Sequence, residues 1–144
     1  MVEVIVSLLV MSIGLLGMAS LQGKSLQSNQ GAYYHSQASI SSYDILERLR
    51  SNKTDAVSGL YNHSQDDETP NVIEGDIAST DLNDWLTLIE NNLPDGAGEI
   101  SCDADATCTI RIQWLDHSVT SDLNGDGVFD QKDKQQSINL VTTL

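Results

Sequence analysis

Positive charge is scarce in this chain of 144 residues, which has seven Lys and Arg against 21 Asp and Glu and a formal net charge of −14. No Lys or Arg occurs between Lys53 and Arg111, whereas acidic residues recur throughout that interval. A surface so negative repels the phosphate backbone, which argues against non-specific binding of DNA or RNA. The acidity is typical either of a solvated extracytoplasmic surface or of a cation-binding one.

Cysteine is also scarce, since the chain has only Cys102 and Cys108, in the stretch CDADATC. Zinc sites prefer cysteines that lie closer together and need further ligands nearby, and the nearest histidine, His117, stands alone. Two cysteines on either side of a short turn instead favour a disulfide across a hairpin. A disulfide in turn indicates an oxidising compartment.

Recognisable catalytic patterns are missing as well. His35, His63 and His117 do not accompany any recognisable nucleophile motif, and Ser and Asp are merely abundant. We therefore expect no catalytic residues and no enzymatic activity. His63 lies in a polar stretch and is expected to be solvated.

No charge occurs from Val4 to Leu21, and this stretch is just long enough to cross a bilayer as a helix. A signal peptide would need a cationic start, whereas Met1-Val2-Glu3 carries an acid. A buried core helix would show a polar stripe. The pattern therefore favours a membrane helix over residues 1–22, although nothing cationic holds its start on the inner side. A short basic leader that is removed in the cell would explain the missing cation.

The helical pattern continues without proline through a polar, amphipathic half, residues 23–53. A thin apolar seam at helical spacing predicts packing beneath a C-terminal domain, residues 54–144. Asp44 precedes Arg48 by four residues and forms a supportive pair with it. Asn52 is a plausible stop. The seam comprises Tyr34, Ala38, Ser42, Ile45, Leu46 and Leu49.

The C-terminal domain combines one short helix with three strands. Residues 54–79 read as a long surface connection, and Thr80-Asp81 as the N-cap of an amphipathic helix that ends before Pro94. In that helix Trp85 is expected to anchor the core. Apolar and polar residues then alternate in predicted strands at 99–102, 107–115 and 137–144. The expected fold class is α+β, with a long helix packed on a small antiparallel sheet and a short second helix.

A twelve-residue stretch between the last two strands matches the calcium loop of EF-hands. Oxygen ligands fall at the required spacing, and Gly127 occupies the sharp-turn position. The last ligand is an Asp where Glu is usual, and strands rather than helices flank the loop. The alternative is a metal-free hairpin loop. The predicted Ca²⁺ ligands are Asp122, Asn124, Asp126, Val128 through its carbonyl, Asp130 and Asp133.

With these residues in hand, the chain resembles type IV pilins, and within them the minor pilins of the PilV kind. The resemblance is carried first by residues 1–22, especially SIGLLGMASLQ, with Glu3 matching the near-terminal glutamate of the family. Residues 32–52 (AYYHSQASISSYDILERLRSN), the helix with Trp85 and the strand that ends in Trp114-Leu115-Asp116 are also similar. The calcium loop is not part of the resemblance.

The resemblance implies a subunit that waits in the bacterial inner membrane, with its domain in the periplasm, and is then packed into a cell-surface pilus. Its expected partners are other minor pilins, the major pilin and a large tip adhesin. Glu3 would compensate the terminal amine of a neighbouring subunit during filament assembly. Two other hypotheses remain open: a minor pseudopilin of a type II secretion system, and a secreted calcium-binding recognition module whose mature chain starts after about Ala19.

Overall fold

The computed structural model describes residues 2–67, 70, 72–117, 119 and 130–144, and the chain begins in one long helix, α1 (Val2–Ser51). No proline interrupts these 50 residues, and at 1.5 Å per residue the helix is ~75 Å long. Arg48 and Arg50 lie in its last turn, where cations suit the helix dipole. The break at Asn52 separates α1 from the short α2 (Lys53–Val57), so the predicted stop is confirmed.

The helix α1 has two different halves. Residues 2–30 are exposed throughout, and burial begins at Gly31. Beyond that point the buried side chains follow the predicted apolar seam, with Ile45 and Leu49 fully inaccessible. Tyr34 packs against the same core while staying partly exposed. The second half of α1 is therefore a structural part of the domain, whereas the first half extends beyond it.

The second long helix, α3 (Ile77–Asn92), begins earlier than predicted. Its N-cap is Asp76, whose side chain accepts a hydrogen bond from the backbone N–H of Ala78 at 3.0 Å. The expected cap at Thr80-Asp81 is wrong, because both residues already lie inside the first turns. The Thr80 hydroxyl bonds back to the Asp76 carbonyl, and Asp81 faces α1.

Three strands form the sheet in the order β1-β2-β3, and both neighbouring pairs are antiparallel: β1 (Ala97–Cys102), β2 (Thr107–Leu115) and β3 (Gln135–Thr143). The register is continuous, from Ala97 opposite Gln113 to Cys102 opposite Cys108 on one side of β2. On the other side it runs from Thr107 opposite Thr143 to Leu115 opposite Gln135. The predicted α+β arrangement of a long helix on a small antiparallel sheet is confirmed.

The core lies between the sheet, the second half of α1 and α3. Alternate residues of β2 are buried, as the half-buried pattern predicts: Cys108, Ile110, Ile112 and Trp114. Trp85 of α3 is fully buried and anchors the core as expected. Its ring lies over Gly98 of β1, where an added Cβ would come within 2.5 Å of the indole.

The stretch expected to be a surface connection with at most short structure contributes one bridge to the sheet. His63 pairs with Ile100 of β1 through two backbone hydrogen bonds of 2.9 Å, and only 8% of its surface is exposed. The expectation of a solvated His63 is therefore wrong. The local composition is polar, and the burial comes from pairing with a strand nearly 40 residues away, which a local pattern does not reveal.

Candidate functional site: an exposed helix and an acidic loop

The first half of α1 presents a large apolar surface. Its aliphatic side chains are more than half exposed, and no part of its most apolar 18-residue window is buried in the chain. By length and composition, this is the one helix among the described residues that could cross a membrane, near the N-terminus. Apolar patches of this extent normally mark contacts with a membrane or another protein. We call residues 2–22 the apolar half.

Two hydroxyl groups of the apolar half form hydrogen bonds within the helix. The Ser7 hydroxyl donates to the Glu3 carbonyl at 2.8 Å, and the Ser12 hydroxyl donates to the Leu8 carbonyl at 2.7 Å. Such back-bonding suits an environment without water, where an unpaired hydroxyl is costly. Glu3 is the one charged residue of this segment and lies in the first turn, where an acid suits the helix dipole.

Small residues break up this apolar surface. A Cβ added at Gly14 or Gly17 would meet no atom within 4 Å, so neither glycine is required by a contact inside the chain. Both positions would therefore let the backbone of a neighbouring helix approach closely. Looser glycine usage in membrane helices explains the same residues equally well.

Most of the predicted calcium loop lies outside the described residues, namely Asp122, Asn124, Asp126 and Val128. The two predicted ligands within them are neighbours in a turn before β3. One carboxylate oxygen of Asp133 accepts the Asp130 N–H at 2.9 Å, and Asp130 accepts the Lys132 N–H at 2.7 Å. Asp133 is only 2% exposed. Within the described part of the chain, no three His, Cys, Asp or Glu side chains converge as metal ligands.

The turn with Asp133 is tied to the end of β2. The Asp116 N–H donates to the Lys134 carbonyl at 2.7 Å, and Asp116 is itself 7% exposed. Two buried carboxylates, Asp116 and Asp133, therefore flank the base of the loop. Sequence reasoning missed Asp116, because it precedes the twelve-residue motif.

The two cysteines lie opposite each other at the end of the β1–β2 hairpin. Cys102 and Cys108 are cross-strand neighbours in the sheet register and are joined by a disulfide. Within the turn, Asp103 accepts hydrogen bonds from the N–H groups of Asp105 and Thr107. The disulfide closes a small loop at this end of the sheet.

A polar cluster that the sequence did not reveal joins α1 to the rest of the domain. Asp81 of α3 accepts a hydrogen bond from Arg48 at 2.9 Å and one from the Tyr61 hydroxyl at 2.7 Å. Arg48 also makes the predicted pair with Asp44, at 3.0 Å. Burial, together with the bond to Asp81, raises the pKa of Tyr61 to about 12. Of these contacts, only the Asp44–Arg48 pair could be predicted from the sequence, because the other partners are distant in sequence.

Comparison with known proteins gives no assignment. No protein-family model matches the chain, and searches of curated proteins and of solved structures return no match.

Proposed function

We propose that this protein is a filament subunit of the type IV pilin class, and specifically a minor pilin of the PilV kind. It has a structural and non-enzymatic role in starting pilus assembly or in forming the tip complex. The observation that carries the proposal is the two-part helix α1. Its second half is built into a small domain, and its first half leaves an apolar surface wholly uncovered.

The geometry of α1 suits a subunit that moves from a membrane into a filament. A helix that only anchors a domain needs no rigid continuation into it, whereas here one unbroken helix joins the apolar half to the core. Such a helix can be drawn out of a bilayer and packed beside equivalent helices without refolding. Lipid first covers the apolar half, and neighbouring helices then replace the lipid.

Glu3 supplies register in this scheme. A single charge in an apolar assembly is costly unless it meets an opposite charge. The terminal amine of a neighbouring subunit would provide that charge, and a misplaced subunit would leave the carboxylate unpaired. The pair would therefore select the correct stagger more than it would strengthen the filament.

Calcium binding is the second part of the proposal. The loop motif together with Asp133, which is buried and precedes β3, favours a structural Ca²⁺ with Asp130 and Asp133 among its ligands. The ion would neutralise carboxylates that otherwise repel one another, and so order the connection between β2 and β3. It would have no catalytic role.

The experiment that tests this function is the intact mass and N-terminal fragment spectrum of the native protein, taken from the membranes and filaments of its own cells. We expect a terminus at Met1 or within a few residues of it, with one added methyl group. A mature chain that begins after about Ala19 would contradict the proposal, because the apolar half would then be a signal peptide. A methylated terminus in a protein confined to a secretion apparatus would identify a pseudopilin instead.

A further inference from the structure

We propose that the outer edge of β3 takes up an extended strand from a different protein, one whose strand is uncharged or acidic. The free edge is defined here as the outward-facing backbone groups of Ser137, Asn139 and Val141. The exclusion of antiparallel pairing with a second copy rests on the proposed function, because it requires all subunits to share a membrane or a filament axis.

The direction of these backbone groups follows from the ends of the β2–β3 ladder. Asp116 donates to the Lys134 carbonyl at 2.7 Å, and Leu144 donates to the Ala106 carbonyl at 2.9 Å. In antiparallel pairs, hydrogen-bonded positions alternate with positions whose backbone groups face away. The register between these two ends is continuous. Even-numbered residues of β3 therefore bond to β2, and odd-numbered residues face outwards.

The outward groups have no partner within the chain as described. Gln135, the first odd-numbered residue of β3, donates its N–H to the Lys132 carbonyl in the preceding turn. For Ser137, Asn139 and Val141, no backbone hydrogen bond joins the outward groups to any other described residue. Among the described residues, nothing therefore pairs with the edge over the central part of the strand.

The opposite edge of the sheet is covered at two positions, Ile100 and Cys102, which makes the uncovered edge of β3 informative. The outward backbone groups of Ile100 in β1 pair with His63. Next to them, the Asn62 side chain accepts the Cys102 N–H at 2.7 Å and donates to the Cys102 carbonyl at 3.4 Å. The described residues thus cover one edge at Ile100 and Cys102 and leave the other without such cover.

The strand β3 also lacks the usual protection of an exposed edge. Proteins blunt such edges with Lys, Pro, bulges or short strands. The nine residues QQSINLVTT contain no charge and no proline, and their pairing with β2 has no bulge. On the core-facing side, Ile138 and Leu140 are only partly buried, unlike their fully buried neighbours in β2. An added strand with apolar residues at alternate positions would bury the exposed parts of these two side chains.

Charge determines which strand fits. Four of the seven Lys and Arg in this acidic chain surround β3. Lys132 and Lys134 precede it, and Lys53 donates to the Leu144 carbonyl near its end. Arg111 of β2 donates to the Asn139 side chain at 2.9 Å and also pairs with Glu99 of β1 at 3.7 Å. Neither β2 nor residues 134–144 contain an Asp or Glu. A basic strand is therefore disfavoured, and an uncharged or acidic one is accommodated.

Two ways of pairing with a second copy of the chain are excluded. Pairing of β3 with β1 of another copy is blocked, because residues 62 and 63 occupy that edge. Antiparallel pairing of two β3 strands would place a two-fold axis perpendicular to the joined sheet. That axis reverses every direction in the sheet plane, including that of α1, which packs on the sheet. The two apolar halves would then point in opposite directions and could not share one membrane.

The first test measures amide hydrogen exchange in the full chain, isolated in detergent micelles and again within membranes or filaments of its own cells. In the isolated chain we expect the Ser137, Asn139 and Val141 amides to exchange about 100-fold faster than those of Ile138 and Leu140. In the assembled state we expect the three fast amides to slow to the rate of their neighbours. Fast exchange in both states, or slow exchange in both, would overturn the proposal.

The second test places the photoreactive residue p-benzoylphenylalanine at position 141 in native cells and maps the crosslinked peptide. We expect an adduct with a different protein, through an uncharged or acidic extended segment. Asn139→Pro should abolish the adduct, because it removes an outward N–H without touching the β2 ladder. Asn139→Ala, which keeps that N–H, should retain it. Ser137→Pro repeats the test if Asn139→Pro does not fold, as judged by slow exchange at Ile138.

An adduct with a second copy, or one that survives both proline variants, would overturn this inference. Neither result would affect the proposed pilin function, which is read from the processed N-terminus. Conversely, the mature chain could begin after Ala19 and still form the adduct that depends on Asn139. That result would overturn the proposed pilin function and support the inference about the free edge of β3.

Discussion

The indole Nε1 of Trp85 donates a hydrogen bond of 3.0 Å to the backbone carbonyl of Ser41, and so joins α3 to the second half of α1. Both residues are buried, and the ring of Trp85 lies directly over Gly98 of β1. One side chain therefore fixes the spacing of three elements. The amphipathic half of α1 is held to the domain at this point and not by the apolar seam alone.

Gly98→Ala should destabilise the domain. The added Cβ would lie 2.5 Å from Trp85 Cη2 and 3.0 Å from Ile89 Cδ1, which forces the buried ring to move. We expect the free energy of unfolding to fall by about 1–3 kcal/mol, measured by urea unfolding followed through tryptophan fluorescence.

Gly23→Ala is the matched control, because a Cβ at Gly23 meets no atom within 4 Å. Its free energy of unfolding should not fall. Equal behaviour of the two variants would show that Trp85 does not pack on Gly98 as described.

Tyr61 should make stability depend on pH in the alkaline range. Its pKa is raised to about 12 from the ordinary value of 10.0 by burial and by its bond to Asp81. The folded chain therefore keeps the phenol proton that the unfolded chain loses. The stabilisation is complete below pH 10 and is lost as the pH rises towards about 12. Urea unfolding at a series of pH values should reveal this loss, together with a late phase in the ultraviolet tyrosinate titration.

Tyr61→Phe is the control for this pH dependence, since it keeps the ring and removes the ionisable group. The late titration phase should disappear, and stability should decline less over the same pH window. Persistence of the phase would assign it to a different tyrosine.

The disulfide should contribute measurably to stability. Cys102 and Cys108 close a short loop at the end of the β1–β2 hairpin. Loop-closure entropy for a ring of this size predicts that the double change Cys102→Ser and Cys108→Ser lowers the free energy of unfolding by about 2 kcal/mol. Urea unfolding with and without reductant measures this, and reductant should not affect the double variant. A wild-type chain that is equally stable when reduced would contradict the expectation.

Local patterns predicted the parts of this fold that repeat along the chain. The long helix, its apolar seam and the alternation in β2 were all visible, because a helix and a strand impose fixed periods on buried residues. The hairpin disulfide was also predictable, since the spacing of its cysteines suits a tight antiparallel turn. Fold class followed from these elements.

Contacts between distant residues were not predictable in this way. Asp81 was assigned to a helix cap, whereas its carboxylate binds Arg48 of α1 and Tyr61 in the turn after α2. His63 was assigned to solvent, whereas it pairs with β1. In both cases the residue type suits several environments, and the partner that decides between them lies far away in sequence. The free edge of β3 escaped notice for the same reason, because an edge is a property of the sheet.

Calcium should stabilise the chain through its acidic loop. We expect Ca²⁺ to raise the midpoint of thermal unfolding of the wild type relative to a chelator, because the loop carboxylates repel one another without the ion. Asp126→Ala removes a predicted central ligand and should abolish the difference. Thermal unfolding of the full chain in detergent, followed by circular dichroism, measures both.

Asp105→Ala is the matched control for the loop variant. Asp105 is an exposed acid in the turn between β1 and β2, outside the predicted site. This variant should keep the full response to Ca²⁺. A wild type that does not respond, or an Asp126→Ala variant that responds as the wild type does, would exclude a calcium role for the loop.

Glu3→Ala should prevent incorporation into filaments while leaving the domain folded. Glu3 is exposed in the first turn of α1, far from the buried core, so its loss should not change urea unfolding. In an apolar filament core, however, the terminal amine of a neighbouring subunit would lose its only opposite charge. Glu3→Gln should fail in the same way because it lacks the charge, whereas Glu3→Asp should restore part of the assembly.

Ser7→Ala is the control on the same segment, because its hydroxyl bonds only to the Glu3 carbonyl within the helix. This variant should assemble normally, as judged by immunoblotting of sheared filaments against the membrane fraction. If Glu3→Ala and Glu3→Gln enter filaments as the wild type does, the carboxylate sets no register. The apolar half would then act only as a membrane anchor. An anchor does not require the unbroken continuation of α1 into the core, so that feature would lose its explanation.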